Sequence, residues 1–199
     1  MINGLVDWAR LARALAFYGS RGFLQCELDW HARPDICALT CPDPDRMYPF
    51  VNDHNEDVLV GSAEQSFMQS QWKGYLPAGR YVSITPCFRR EDKVSETHKR
   101  YFMKVELYAS CDANPETALE FAHIAREFMQ GETDQHVDLV TTREGYDLEI
   151  GGIEVGSYAA RQAAGMSWTC GTGLAEPRFT TAHLNAEAGL TPLKNKDLA

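Results

Sequence analysis

The stretch ITPCFRREDKVSETHKRYFMKVEL, Ile84 to Leu107, constrains the fold of this chain more than any other. Ile84 to Phe88 is apolar and β-prone, Asp92 to Arg100 is dense in charge, and Tyr101 to Leu107 alternates. Phe102, Val105 and Leu107 are apolar in that last run, whereas Lys104 and Glu106 are polar. The pattern predicts strand, charged loop, strand. Arg89 and Glu91 stand two apart, which on a strand puts both on one face. A guanidinium fork grips phosphate, a carboxylate takes an amine or a metal, and an aromatic ring stacks on a base, so the set suits a nucleotide. The same residues also describe an exposed hairpin with solvated charges.

The rest of the chain supplies elements around this hairpin. Apolar residues at 5, 8, 11, 12, 15 and 18 predict a helix over Leu5 to Tyr18, ended by Gly19 and Gly22, with a strand over Gly22 to Leu28. Arg33 to Glu56, rich in Pro, Asp and Asn, reads as a long irregular excursion in which His31, His54 and the cysteines are solvated. Asp57 to Gly61 reads as a short strand, and Ser62 opens a helix to Gln71, with Gln65 placed as in a capping box. Glu64 lies in that helix's first turn, where an acid favours the dipole. Asn114 and Pro115 predict an N-cap and first position of a helix stopped by Gly131. Asp147 to Ser157 reads as a hairpin turning at Gly151-Gly152. Trp168 to Phe179 reads as a strand running into a helix, and Thr191 to Ala199 as a frayed tail.

Phe88-Arg89-x-Glu91, the loop, and His98-x-x-x-Phe102 resemble motif 2 of class II aminoacyl-tRNA synthetases. The return strand, Phe102 to Glu106, is most similar to that of seryl enzymes. Gly61-Ser-Ala-Glu64 resembles their Thr-x-Glu segment, and Gly171-Thr-Gly-Leu-Ala-Glu-Pro-Arg178 resembles motif 3. Leu5 to Leu28 resembles motif 1 weakly, its proline marker arriving late at Pro34. The resemblance covers Gly22 to Arg178 and implies an α+β fold, an antiparallel β-sheet flanked by helices. It implies one catalytic domain over residues 1-199, without an anticodon-binding domain or tRNA-binding arm.

The chemistry so implied is that of an ATP-dependent ligase, which joins an amino acid to AMP as an aminoacyl-adenylate and releases pyrophosphate. Under the resemblance Arg89 and Arg178 are catalytic, and Arg89, Glu91, His98, Arg100, Phe102, Gly171, Gly173 and Arg178 bind ATP. Arg89 holds the α-phosphate, Arg178 and His98 with Arg100 hold the outer phosphates, and Phe102 stacks on adenine opposite Arg178. Gly171 and Gly173 let the backbone lie beneath the nucleotide. Glu154 and Glu91 hold Mg²⁺, a metal that takes one or two carboxylates plus phosphate oxygens. Glu64, Glu106 and Ser157 face a small amino acid. Some seryl-like enzymes hold a zinc by Cys, Glu and Cys. Here Cys170 and Glu106 match two of those ligands, but Ser62 stands where the third belongs, so zinc is not expected. Cys37-x3-Cys41 lacks the second pair of a zinc site, and six reduced thiols are expected instead. Cys170 also replaces an asparagine usual in seryl enzymes, which argues against serine itself.

Composition bears on the acceptor, as does the expected lack of an RNA-binding appendage. At 44% apolar and 24% charged, with no run of ~18–20 apolar residues, the chain reads as a cytoplasmic protein outside any membrane. A net charge of −9 disfavours a general nucleic-acid surface. The expected activity is therefore amino-acid activation with transfer to an acceptor other than tRNA: a carrier protein, another protein, a small molecule or a nucleobase. A minimal enzyme charging tRNA and a non-catalytic binding paralogue are the alternatives. A homodimer is expected from the motif 1 resemblance.

Overall fold

The computed structural model describes residues 6–51 and 56–190. Leu5, His54 and the tail Thr191–Ala199 lie outside them. In chain order the elements are α1 (Trp8–Ser20), β1 (Leu24–Gln25), β2 (His31–Ala32), α2 (Pro34–Ala38), β3 (Tyr48–Val51), β4 (Glu56–Leu59), α3 (Ala63–Trp72), β5 (Arg80–Phe88) and β6 (Tyr101–Ala109). They continue with α4 (Pro115–Gly131), β7 (Val137–Thr141), β8 (Tyr146–Ile150), β9 (Ile153–Ala163), β10 (Met166–Glu176) and α5 (Arg178–Glu187). Seven strands form one sheet in the order β1-β5-β6-β10-β9-β8-β7. Only the β1–β5 pair is parallel. The expected α+β architecture, an antiparallel sheet flanked by helices, is what the chain adopts.

The sheet's two faces are covered differently. On one, α1, α4 and α5 bury a core that includes Leu11, Tyr18, Phe121, Phe128, Leu148 and Phe179. Each such fully buried side chain contributes ~1.5–3 kcal/mol of transfer free energy. On the other face α3 packs across β5 and β6, with Phe67 stacked on Tyr108 at 4.7 Å and Trp168 beneath. That face is otherwise open and holds the cavity described below.

Local chemistry explains the elements. Asn114 Oδ1 accepts from the Thr117 N–H at 2.8 Å, so α4 begins where its cap residue stands. Gly151 and Gly152 take φ of +56° and +79°, the left-handed pair that a two-residue hairpin turn needs. At α3, Ser62 caps Glu64 N–H, while Gln65 reaches past the expected capping-box partner to Gly61 N–H at 2.8 Å. Helix α1 starts at Trp8, because the Asp7 side chain accepts from Arg10 N–H and caps it there.

Two expectations are corrected. The strand over Gly22 to Leu28 shrinks to Leu24–Gln25, since Leu28 turns under α3 instead of following the sheet edge. The excursion Arg33 to Glu56 is structured: β2, β4 and β3 form a small antiparallel sheet, with α2 beside it. Its core takes one residue each from β2, α2 and β4, Ala32, Cys37 and Val58, and two from the flanking chain, Met47 and Val60, so no periodicity marks it in sequence. Helix α3 ties it down through buried polar side chains. Gln69 Oε1 accepts from Arg33 N–H at 2.9 Å, and Gln65 Nε2 donates to Thr40 Oγ1 at 3.2 Å. His31 is likewise not a free loop side chain, for its Nδ1 lies 2.6 Å from Asp57 Oδ2 and its ring stacks on Phe50.

Candidate active site

A cavity of about 330 Å³ opens between the sheet, α3 and the small sheet. Its floor is the cavity-facing set of three adjacent strands: Phe102, Lys104 and Glu106 from β6, Cys170 and Thr172 from β10, and Ser157, Ala159 and Arg161 from β9. Side chains two apart on a strand share a face, so these alternations follow from the pleat. The register sets Glu106 opposite Thr172 and Cys170 opposite Ala159. The cavity thus has two ends. A loop end is made by residues 89–102 with Glu154 and Arg178, and a strand end by Ser62, Glu64, Lys104, Glu106, Arg161 and Cys170.

At the loop end β5 stops at Phe88, so Arg89 and Glu91 sit in the loop, not on a strand face as expected. Both still line the cavity. Arg89 Nε donates to the Gly61 carbonyl at 3.0 Å, and its guanidinium lies 5.0 Å from the Phe102 ring centroid. Among the described residues no carboxylate pairs with Arg89 within 4.0 Å. Glu91 pairs with Arg46 at 2.5 Å, and Arg46 is a residue that sequence reasoning left in the irregular excursion. Arg178, the first residue of α5, donates through Nε to the Thr97 carbonyl at 3.1 Å and meets Glu154 at 3.5 Å. Burial holds its pKa below the ordinary arginine value, Glu154 opposing and Arg89 adding to the shift. Two arginines facing one space with incomplete neutralisation mark an anion site. His98 lines the same end, its Nδ1 3.1 Å from Ser95 Oγ. Arg100 does not line it, since its Nε donates to the Glu91 carbonyl at 3.2 Å.

At the strand end the charges are buried and mutually engaged. Glu106, 1% exposed, accepts from Lys104 Nζ at 2.8 Å and from Ser62 Oγ at 2.5 Å. Burial pushes the Glu106 carboxyl up, Lys104 opposing. Burial is also the strongest single influence on the Lys104 ammonium and lowers its pKa, but the charge and hydrogen bond of Glu106 together with Cys87 leave it above its ordinary value. Glu64 Oε1 accepts from Trp168 Nε1 at 2.7 Å and from the Cys170 thiol at 3.0 Å, with Arg161 Nε at 3.4 Å. Burial and the neighbouring Glu64 and Glu106 push the Cys170 thiol well up, so it is a neutral donor. Ser157 lines the cavity beside them. Lys104, Arg161 and Trp168 were not singled out from sequence. The i, i+2 spacing of Lys104 and Glu106 was the available signal, whereas Arg161 had none.

Gly171 and Gly173 do not line the cavity. A Cβ on Gly171 would fall 2.1 Å from Tyr158 Cδ1, and one on Gly173 2.8 Å from Tyr18 Cε2. Their bareness seats two core tyrosines under β10. The register slips between Thr172 and Leu174, a β-bulge. Tyr158 and Tyr18 hydroxyls donate to the carbonyls of Thr172 and Gly173 at 2.5 and 2.7 Å.

Metal fit differs between candidates. Glu91 and Glu154 offer hard oxygen donors at the loop end, the type that Mg²⁺ takes, and each is paired with an arginine, Arg46 and Arg178. Cys170 and Glu106 are each engaged by other groups, the thiol by Glu64 and the carboxylate by Lys104 and Ser62. Among the described residues no group of three His, Cys, Asp or Glu side chains is arranged to hold a metal. No helix among them is long and apolar enough to cross a membrane.

No family model and no curated protein sequence matches the chain. Solved structures do match it in fold. Seryl-tRNA synthetase from Pyrococcus horikoshii, complexed with ATP, superposes with a TM-score of 0.66 at 18% identity, covering 87% of this chain and 49% of that one. PylSc, a pyrrolysyl-tRNA synthetase from Desulfitobacterium hafniense, gives 0.67 at 15% identity over 94% and 70%. Cytoplasmic serine–tRNA ligase from Naegleria fowleri, in complex with AMP, gives 0.66 at 15% over 90% and 54%. The chain therefore has the fold of a class II synthetase catalytic core, and it spans about half the length of the two seryl enzymes.

Proposed function

We propose that this protein activates a small amino acid with ATP, forming an aminoacyl-adenylate and pyrophosphate, and passes the aminoacyl group to an acceptor other than tRNA. The observation that carries this reading is Arg89. It is a cation without a carboxylate partner among the described residues, in a cavity whose one end suits an anion and whose other end holds buried carboxylates. The neighbours complexed with ATP and with AMP support a nucleotide at the loop end.

In this reaction the amino-acid carboxylate oxygen attacks the α-phosphorus in line. The new P–O bond forms as the bridging bond to the β-phosphate breaks, and pyrophosphate departs with the electron pair. No proton need move, so catalysis is positioning and charge stabilisation. Arg89 holds the attacking carboxylate against the α-phosphate. Arg178 and His98 take the departing phosphates, and Phe102 stacks on the adenine. Glu91 and Glu154 would hold Mg²⁺, which neutralises the triphosphate when bound. Glu64 receives the substrate ammonium. The net charge of −9 favours an acceptor other than tRNA. Two copies pair through α1 and the β1 edge, where Trp8 and Leu24 are exposed.

The test is amino-acid-dependent exchange of pyrophosphate into ATP, with Mg²⁺, without tRNA, across the twenty amino acids. Exchange with one or two of them is expected. Silence with all twenty, alongside ATP binding by calorimetry, would replace catalysis with a nucleotide-binding role.

A further inference from the structure

The strand end of the cavity holds a guanidinium, Arg161, that a neutral amino acid would leave without an anion. Three cations line the cavity from this end to the junction: Lys104, Arg161 and Arg89. Two carboxylates face them, Glu106 and Glu64. The other cavity carboxylates belong to the loop end, Glu91 with Arg46 and Glu154 with Arg178. Lys104 and Glu106 form a closed pair 2.8 Å apart, net neutral wherever the proton sits between them. Cys170 donates to Glu64 as a thiol and adds no charge.

Arg161 is the loose member of this set. Its only ionic contact among the described residues is Glu64 at 3.4 Å, and that contact is not a hydrogen bond. The Arg161 Nε–H is the only buried side-chain nitrogen or oxygen among the described residues without a hydrogen-bond partner. Leaving such a donor unmet is unfavourable, the more so when it is charged, so folded proteins keep few of them. Glu64 meanwhile has one carboxylate oxygen committed to Trp168 and Cys170.

An entering amino acid brings one ammonium and one carboxylate. The carboxylate goes to Arg89 and the ammonium to Glu64, which loosens the only counter-charge of Arg161. Lys104 keeps Glu106, Arg89 takes the substrate carboxylate beside the α-phosphate, and the ammonium takes Glu64, so Arg161 alone is left without a counter-charge. A substrate with a second carboxylate on its side chain supplies one. It also supplies the planar acceptor that a guanidinium fork binds best.

Resting on the adenylation reading above, we propose that the substrate is a dicarboxylic α-amino acid of four or five carbons, its side-chain carboxylate held by Arg161. Arg161 is then the specificity-determining residue, and Glu64 passes from partner of Arg161 to partner of the substrate ammonium.

The experiment is pyrophosphate exchange with aspartate, glutamate, asparagine, glutamine, serine and alanine, on the unmodified protein and on Arg161→Leu and Arg161→Lys. The expected result is exchange with aspartate or glutamate. In Arg161→Leu the KM for that amino acid should rise on the order of 10–10²-fold, as for loss of one charge-assisted partner at a half-buried site. The corresponding amide should gain relative to it. Arg161→Lys should recover part of the loss, since it restores charge without the fork. Thermal unfolding of each variant separates a folding defect from a specificity change. If Arg161→Leu does not fold, calorimetric titration of the unmodified protein with aspartate, glutamate and serine decides the matter alone. Exchange confined to serine, alanine or an amide, or an Arg161→Leu protein with unchanged KM, would overturn the inference and leave adenylation standing. Binding of the dicarboxylic amino acid without exchange would keep the inference and overturn adenylation. Neither binding nor exchange would remove both.

Discussion

At the loop end of the cavity the charged groups come from an irregular segment and a helix terminus, and their partners are replaceable: a backbone carbonyl for Arg89, another for Arg178, an exposed arginine for Glu91. At the strand end they project from strand interiors and a buried helix turn, and Lys104, Glu106, Ser62 and Glu64 hold one another away from water. The first arrangement can exchange partners when a charged ligand arrives. The second costs stability if any member is lost, because a buried charge without its partner is far worse than none. One end is therefore free to rearrange around a ligand, and the other is part of what holds the fold together.

Four measurements break or sharpen this contrast. The largest effect is at the loop end: Arg89→Ala should cut pyrophosphate exchange by ~10²–10³, the usual cost of losing one electrostatic partner in the transition state. Its unfolding free energy should stay within ~0.5 kcal/mol of the unmodified protein, as for a surface change. A variant keeping a tenth of the activity would remove Arg89 from the mechanism.

Lys104→Ala should show the opposite signature, a loss of ~3–5 kcal/mol in denaturant unfolding, because Glu106 is left buried and unpaired. The double variant Lys104→Met with Glu106→Leu should recover most of that loss. If the single variant is as stable as the parent, the strand end is not the structural region described here.

Gly171→Ala probes what lies beneath both ends. Its new methyl would meet the buried Tyr158 ring, so a destabilisation of ~1–3 kcal/mol is expected from overpacking. An equal stability with weakened ATP binding would instead return this glycine to the nucleotide site.

The fourth measurement is alkaline. Burial raises the Cys37 and Cys87 thiols from 9.0 to about 12 and Cys26 to about 11. A group whose folded pKa is raised stabilises fully below its unfolded value and loses that contribution as pH climbs through the folded one. The unfolding midpoint should therefore hold up to about pH 9 and fall toward pH 11–12, and Cys87→Ala should flatten the fall. Cys87 sits behind Arg89 and Lys104, which oppose its shift, so it reports on the wall shared by the two ends.

The loop end was legible because its chemistry is local. Phe88 to Glu91, His98 and Phe102 lie within one hairpin, and Arg178 opens α5 two residues after β10 ends. Even there Arg100 faces away, since the direction of a loop side chain depends on what the loop bonds to. The strand end was half legible. Glu64 and Glu106 stood out by resemblance, but their partners did not. Lys104 is two residues from Glu106 and shares its face, whereas Arg161 reaches Glu64 across nearly a hundred positions through the β9–β10 register.

The sequence by itself determined the elements whose causes are near neighbours. These include the Asn114 cap, the Gly151-Gly152 turn, the β5–β6 hairpin, and the helix that Arg178 opens. Periodicity and capping act within a few residues, so one chain read in order contains them. Tertiary structure alone decided the small sheet of β2, β4 and β3, the tyrosines beneath Gly171 and Gly173, and the unmet donor on Arg161. Each of those depends on which strands lie side by side, and that pairing is fixed by the shared burial of distant residues.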